Sequence, residues 1–200
     1  LLASTPSPVA LLLLATLVFA ALTKSAQFPF NKWLQGAMVA PTPVSALLHA
    51  VAVVKVGVFS TVRVMLYVFG VDLMDRLHLG LPTAWFVSIT ILVASVVALS
   101  KDNLKLRLAY STVSQIGYIF LGLSMANAAG ISGSLLFIRM HGLAKAGLFL
   151  CAEIVIHATH QKDIREMGGL IKTMPVTAIA FLVCAFSVIG IPPLVGVFSR

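Results

Sequence analysis

Two hundred residues, 60% of them hydrophobic and only 10% charged, with a mean hydropathy of +1.04, exclude an ordinary soluble domain. Fourteen lysines and arginines face six acidic residues, but no basic run or aromatic-interleaved patch occurs. The net charge of +8 therefore reads as membrane topology and not as nucleic-acid binding, and the long apolar runs imply an all-α, polytopic membrane helix bundle in the lipid bilayer.

The first apolar segment runs from Val9 to Ser25 and ends in Thr23-Lys24-Ser25-Ala26-Gln27; Phe28-Pro29-Phe30 and a short piece from Asn31 to Met38 follow. Pro29 lacks a backbone donor and disfavours helix before it, so a broken helix with Lys24 at the break is expected. Such breaks survive in a bilayer where they line a cavity or pack on protein. The second segment, Pro43 to Phe69, is apolar for the length of a span yet carries His49 and Lys55 in its interior. Read as one helix from Pro43, it puts Lys55 about 18 Å deep. An ammonium there is costly unless it finds a partner, finds water or loses its proton.

The connection from Gly70 to Pro82 holds Asp72, Asp75, Arg76 and His78. A third segment, Thr83 to Leu99, has Trp85 near one end, where an interfacial ring would sit. After the charged turn Lys101 to Arg107, a fourth segment, Leu108 to Met125, is seeded with Ser111, Thr112, Ser114, Gln115 and Tyr118, which suit interhelical hydrogen bonds. The fifth, Ile131 to Thr159, holds Arg139, His141, Lys145, Glu153 and His157. A polar loop from Gln161 to Pro175 leads to the sixth, Val176 to Arg200, interrupted by Gly190-Ile191-Pro192-Pro193.

The loops after the first, third and fifth segments carry Lys32; Lys101, Lys105 and Arg107; and Lys162, Arg165 and Lys172, whereas those after the second and fourth carry only Arg76. Basic loops stay inside, so the first set is expected to be cytoplasmic. The chain starts at Leu1 without methionine and stops at Arg200 directly after a helix-breaking motif, so a single membrane domain of about six spans, residues 1–200, is expected to be the interior of a longer protein. The first and last segments are both broken by proline beside a basic residue, Lys24 and Arg200, which points to repeated halves with a binding path at their interface.

His141 and Lys145 lie four apart, one turn from each other on one helical face, and Glu153 and His157 form a second such pair. The eight residues from Lys145 to Glu153 amount to about 12 Å of rise and about 80° of rotation. The four groups are expected to descend one gently turning strip towards the cytoplasmic end, with water bridging the gaps. Burial lowers a lysine pKa and a nearby carboxylate raises it, so a buried amine can be loaded and discharged; histidine titrates near neutrality unaided. Lys24, Lys55, Lys145, His49 and His141 are the expected relay members, with Glu153, His157 and Arg200 as further candidates. A polar seam that only holds helices together is the alternative, and for His49 a structural hydrogen-bonded role stands beside a shuttle. Arg63 is expected to snorkel outward, and Arg139, about 200° around the helix from His141, to point away from the strip. Cys151 and Cys184 lie in apolar segments without metal spacing and are expected to be core residues. Phosphate-loop, haem, iron–sulfur, zinc and nucleophile-elbow motifs do not occur, so no cofactor, metal site or redox chemistry is expected within the chain.

Several stretches resemble a known family. Thr23-Lys24-Ser25-Ala26-Gln27-Phe28-Pro29-Phe30 with Trp33-Leu34 and Ala37-Met38, then Ala40-Pro41-Thr42-Pro43-Val44-Ser45-Ala46-Leu47-Leu48-His49, are similar to the antiporter-like membrane subunits of respiratory complex I, Mrp-type cation/proton antiporters and membrane-bound hydrogenases. Leu108 to Tyr118, His141 to Lys145 with Ala146, Leu148, Phe149 and Leu150, and Met167-Gly168-Gly169-Leu170 match the same family. The resemblance implies an inverted-repeat antiporter-like fold with discontinuous helices, of which this chain is the central and later part. It assigns Lys24 to a first half-channel, where it would pair with a glutamate on an earlier helix. Lys55 or Lys145 would belong to a central hydrophilic axis, and Arg200 would stand at the exit.

Taken together, the expected function is an ion-translocating membrane subunit. It would move protons, either alone or in exchange for Na+, along buried lysines and histidines, coupled to other membrane subunits of a complex I-like, hydrogenase or Mrp-type assembly in a prokaryotic inner membrane. The alternatives are a structural or anchoring subunit without transport, and a stand-alone secondary transporter for a small solute.

Overall fold

The computed structural model describes residues 23–39, 44–45, 47, 52–72, 78 and 80–191. Most of the first predicted segment, together with His49, Pro192, Pro193 and Arg200, lies outside these residues. In chain order the elements are α1 (Lys32–Gly36), which runs into a 3₁₀ turn (Ala37–Val39), α2 (Val53–Arg63), which continues as a π-helical stretch (Val64–Phe69), α3 (Gly80–Leu99), α4 (Leu104–Ser124), α5 (Ala128–Thr159), a 3₁₀ turn (Ile164–Glu166), α6 (Leu170–Thr173) and α7 (Pro175–Ile189). The all-helical expectation holds: among the described residues no strand forms, and Asn103 and Asp163 make an isolated antiparallel bridge.

The third, fourth and fifth predicted segments each appear as one helix, extended by three or four residues at the start, because side-chain caps set the true boundaries of the last two. The Asn103 Oδ1 accepts hydrogen bonds from the backbone N–H of Lys105 (3.0 Å) and Leu106 (3.3 Å) and so opens α4. Asn127 does the same for α5 through the N–H of Gly130 at 2.6 Å. The sixth segment is interrupted where expected: Gly190, with φ of 82°, closes α7 in the left-handed conformation.

The second segment differs from the uniform helix expected from Pro43. Val44 and Ser45 are α-helical, but the Ala52 N–H reaches back five residues to the Leu47 carbonyl at 2.9 Å, so the turn just before α2, which starts at Val53, is wider than an α-helical one. Lys55 therefore stands in the first turn of α2. At its other end α2 widens again into a π stretch that stops at Gly70, φ 74°.

Helix α3 shows why this is a membrane protein. Its buried residues, Val87, Thr90, Ile91, Ala94 and Ala98, form one stripe at helical spacing. Its outer face is just as apolar, with Leu81, Trp85, Ile89, Leu92 and Val96 all exposed. A helix apolar all round and 20 residues long fits a bilayer core. α3 and α5 are both long and apolar enough to cross a membrane, and α7 is a shorter apolar helix with an exposed apolar face.

Neighbours in sequence pack as neighbours in space, α3 on α4, α4 on α5 and α5 on α7. Helix α4 lies between two cores. On one side Val113, Ile116, Ile119, Phe120 and Leu123 join Val54 and Val58 of α2, Val87 and Ile91 of α3, and Phe137 of α5. On the other, Leu108 and Ala109 join Leu148, Phe149 and Ala152 of α5 against Phe181 and Val188 of α7. Ser95 of α3 and Ser114 of α4 pair their hydroxyls at 2.8 Å across the first interface.

The basic connections after α3 and α5 meet on one face of the bundle, as the loop charges require. The Leu104 N–H donates to the Lys162 carbonyl (3.1 Å) and the Ile164 N–H to the Asp102 carbonyl (3.0 Å). An Asp102–Arg165 ion pair at 2.9 Å closes the same junction. Arg63 is exposed and lies over the rings of Phe59 and Tyr67, 5.8 and 5.9 Å from their centroids, and Arg139 is exposed as well. Both arginines thus face outward.

Candidate functional site

Three ionisable side chains of the described residues lie together in the interior: Lys55 (8% exposed), His141 (2%) and Lys145 (1%). The stripe of apolar residues on α2 that packs into the α4 interface carries Lys55 inward with it, because Val54, Lys55, Val58 and Val62 share that face. The Lys55 Nζ donates to the Ile138 carbonyl at 3.0 Å and lies 2.9 Å from His141 Nδ1. The ring of Phe137 stacks on the imidazole, centroids 5.8 Å apart and planes inclined by 28°.

One turn further along α5, the Lys145 Nζ donates to the Leu108 carbonyl at 3.2 Å and to the Ser111 hydroxyl. Ser111 and Thr112 also donate to that carbonyl, both at 2.9 Å, so one backbone oxygen of α4 anchors a cluster of three side-chain donors. Neither amine contacts a carboxylate among the described residues. Their hydrogen-bond partners are carbonyls, a hydroxyl and an imidazole, groups that stabilise an ammonium without neutralising it.

The 2.9 Å contact between Lys55 and His141 supports two proton distributions. In one, an ammonium donates to an imidazole whose proton sits on Nε2. In the other, a neutral amine accepts from the Nδ1–H of an imidazolium. A proton passes between the two by moving along a single hydrogen bond, with no side-chain rotation. From His141 to Lys145 the helix rises about 6 Å, a gap suited to one bridging water.

The remaining predicted residues do not join this group. Lys24 is exposed, although its backbone lies against α2 beside Lys55: a Cβ on Gly57 would come within 2.7 Å of Ser25 N and 2.8 Å of Lys24 C, so only glycine lets the broken loop lie on the helix here. Glu153 is half-buried and His157 exposed, with the His157 ring 6.2 Å from that of His160. Along the expected gently turning strip, Glu153 and His157 lie about 80° further around the helix and are less deeply buried than His141 and Lys145. His49 and Arg200 lie outside the described residues.

Two features escape a reading of the sequence. Ser111 is one of several residues suited to bonds between helices, and nothing in its spacing singles it out as the partner of Lys145. Gln27, in the turn after Lys24, is fully buried, and its amide oxygen and nitrogen have no hydrogen-bond partner among the described residues. A buried unpaired amide marks a place where water or another polar group belongs. Its only sequence signal is a glutamine beside a proline-broken, lysine-bearing turn.

Residues 2–200 match the family described as NADH:quinone oxidoreductase/Mrp antiporter, TM. The chain is 39% identical over 190 residues to NADH-quinone oxidoreductase subunit L of Mycobacterium tuberculosis, a match that covers 92% of this chain and 28% of that protein. It is also 39% identical over 193 residues to a probable K(+)/H(+) antiporter subunit of Rhizobium meliloti, covering 94% of this chain and 18% of that protein. The fold is similar to that of the Mrp complex from Dietzia sp. DQ12-45-1b, with a TM-score of 0.81 and 37% identity over 94% of this chain and 20% of the other. The chain thus spans less than a third of the length of each of these proteins.

Proposed function

We propose that this chain, which belongs to the NADH:quinone oxidoreductase/Mrp antiporter transmembrane family, moves protons through the bilayer along Lys55, His141 and Lys145 as part of a larger membrane assembly. The observation that carries this reading is the direct bond between an interior lysine and an interior histidine, 2.9 Å long, with a second buried lysine one turn away. A purely structural contact does not require two titratable groups that can exchange a proton in place.

In this mechanism a proton on Lys55 Nζ passes to His141 Nδ1, and the imidazolium releases its other proton, from Nε2, to a water shared with Lys145. Ser111 and the Leu108 carbonyl hold the Lys145 amine in place between transfers. Two ammoniums in a low-dielectric interior repel each other, so arrival of charge at one end favours release at the other. The partner assembly supplies the driving force. Complex I-like, hydrogenase and Mrp-type assemblies all fit a subunit of this kind, as does exchange of protons for Na+. The residues beside Lys24 and Arg200 would connect the relay to the two membrane faces, in a prokaryotic inner membrane with the basic loops on the cytoplasmic side.

The test is proton movement by the full-length protein, assembled with its partners and reconstituted into vesicles. Lys145→Ala and Lys55→Ala should abolish proton movement while the assembly still purifies intact; unchanged pumping in both would remove the proposal. One observation favours a second reading, a polar seam that only joins helices: both lysines reach backbone carbonyls of a neighbouring helix, Ile138 and Leu108. That reading predicts loss of assembly in the same variants, with transport per assembled complex retained.

A further inference from the structure

A groove of about 480 Å³ opens at the basic-loop end of the bundle, between the end of α5, the connection that follows it and the start of α7. Val155, Met167, Phe181 and Leu182 form its walls, and Thr177 is the one lining residue with a polar side chain. From Thr177 to Leu182 the helix rises about 7.5 Å, so the groove starts at the level of the basic loops and runs into the apolar zone. Its open side is apolar as well: Ile171 and Leu182 are exposed, and Val176, Ile179 and Val183 extend the exposed face along α7. Helix α7 has no buried residue, and Thr177, Ala178 and Phe181 are only half-buried, so its packing on this side is incomplete. A groove that is apolar within and open along an apolar side suits a hydrocarbon chain and repels water and polar solutes. An extended peptide laid there would leave its backbone N–H and C=O groups unpaired.

The rim, in contrast, is cationic. Leu104, Ile164 and Ile171 line the groove, and each is followed in the chain by a cation, Lys105, Arg165 and Lys172. Residues 101–107 and 162–172 together hold six lysines and arginines against three acidic residues. Arg165 is paired with Asp102, and Arg107 donates to the carbonyls of Leu99 and Lys101. Lys162 and Lys172 are exposed and form no ion pair among the described residues.

We propose that this groove binds an anionic phospholipid, one acyl chain lying between α5 and α7 and the phosphate headgroup meeting Lys162 and Lys172 at the rim. The chain completes the packing that α7 lacks, and the two lysines place their ammonium groups at headgroup level while their stems cover apolar surface. A zwitterionic lipid offers the same chain but brings its own ammonium, so the lysines favour the anionic headgroup. Binding here needs none of Lys55, His141 and Lys145, and the site stands or falls separately from the relay.

The full-length assembled protein is reconstituted into phosphatidylcholine vesicles with a trace of either phosphatidylglycerol or phosphatidylcholine bearing a photoreactive diazirine in one acyl chain. After illumination, labelled positions are mapped by mass spectrometry. The phosphatidylglycerol probe should label residues 164–182 well above the phosphatidylcholine probe, and unlabelled phosphatidylglycerol should compete it away. Lys162→Gln and Lys172→Gln should each weaken that preference about fivefold without changing labelling by the phosphatidylcholine probe. Ala178→Phe, which fills the groove, should remove labelling by the phosphatidylglycerol probe; where it does not assemble, Ala178→Leu must show the same loss. Equal labelling by both probes would mean bulk lipid only, and absent labelling would mean that another protein segment fills the groove. Either result, or an unchanged preference in the double lysine variant, would overturn the proposal.

Discussion

Near the middle of α5, His141 and Lys145 stand one turn apart and are 2% and 1% exposed; towards its C-terminal end, Glu153 and His157 also stand one turn apart, yet one is half-buried and the other exposed. The spacing is the same and both pairs are ionisable, but the surroundings are opposite. The reason is geometric. An α-helix turns about 100° per residue, so Glu153, eight residues after Lys145, stands about 80° around the helix from it, while Leu148, Phe149 and Ala152 keep the face that packs on α4. α5 also outlasts its polar partners: Ser111 and Leu108 of α4 receive Lys145, while the second half packs its apolar residues Leu148, Phe149 and Ala152 against α4 and α7. A pair of ionisable residues four apart identifies a shared face, and the neighbouring helices decide whether that face is buried or exposed.

The contrast between the two pairs can be broken experimentally in order of expected effect. The largest effect belongs to Lys145→Ala, which leaves Ser111 and the Leu108 carbonyl without their cation and should reduce proton movement to the level of empty vesicles. Next is His141→Gln, which keeps a hydrogen-bonding group near Lys55 but cannot titrate; a loss of about a hundredfold in initial rate is expected if acid–base transfer is the step removed. Ser111→Ala, measured the same way, should lower the rate by about tenfold, the lower end of the worth of one hydrogen bond to a charged group. In the second half of the helix, Glu153→Gln combined with His157→Asn should change the rate by no more than about twofold, as expected for groups outside the packed interior. A double variant as damaging as Lys145→Ala would show that the relay continues to the end of α5, and the two pairs would then be equivalent.

The same physical distinction explains what is readable in advance. The three long helices α3, α4 and α5 are legible because a long apolar run has few alternatives in a bilayer, where every backbone group must be satisfied within the helix. The caps at Asn103 and Asn127 lie just outside those runs and move the starts of α4 and α5 outward. The irregular turns at each end of α2 are not legible, since a turn widened to five residues leaves no compositional trace. Lys55, His141 and Lys145 stand out as ionisable groups in apolar surroundings. That Lys55 meets His141 directly, and that Ser111 rather than a carboxylate receives Lys145, requires the register between helices far apart in the chain.

Hydropathy and proline placement are thus sufficient to establish a helical membrane bundle, the order of its spans and the short list of interior cations, because the cost of burying an ammonium in hydrocarbon makes such residues conspicuous in any apolar run. Only the tertiary structure decided which of them touch. Contact between α2, α4 and α5 depends on how ridges of side chains interlock across interfaces, and a rotation of one residue, about 100°, is enough to turn a buried lysine into a surface group.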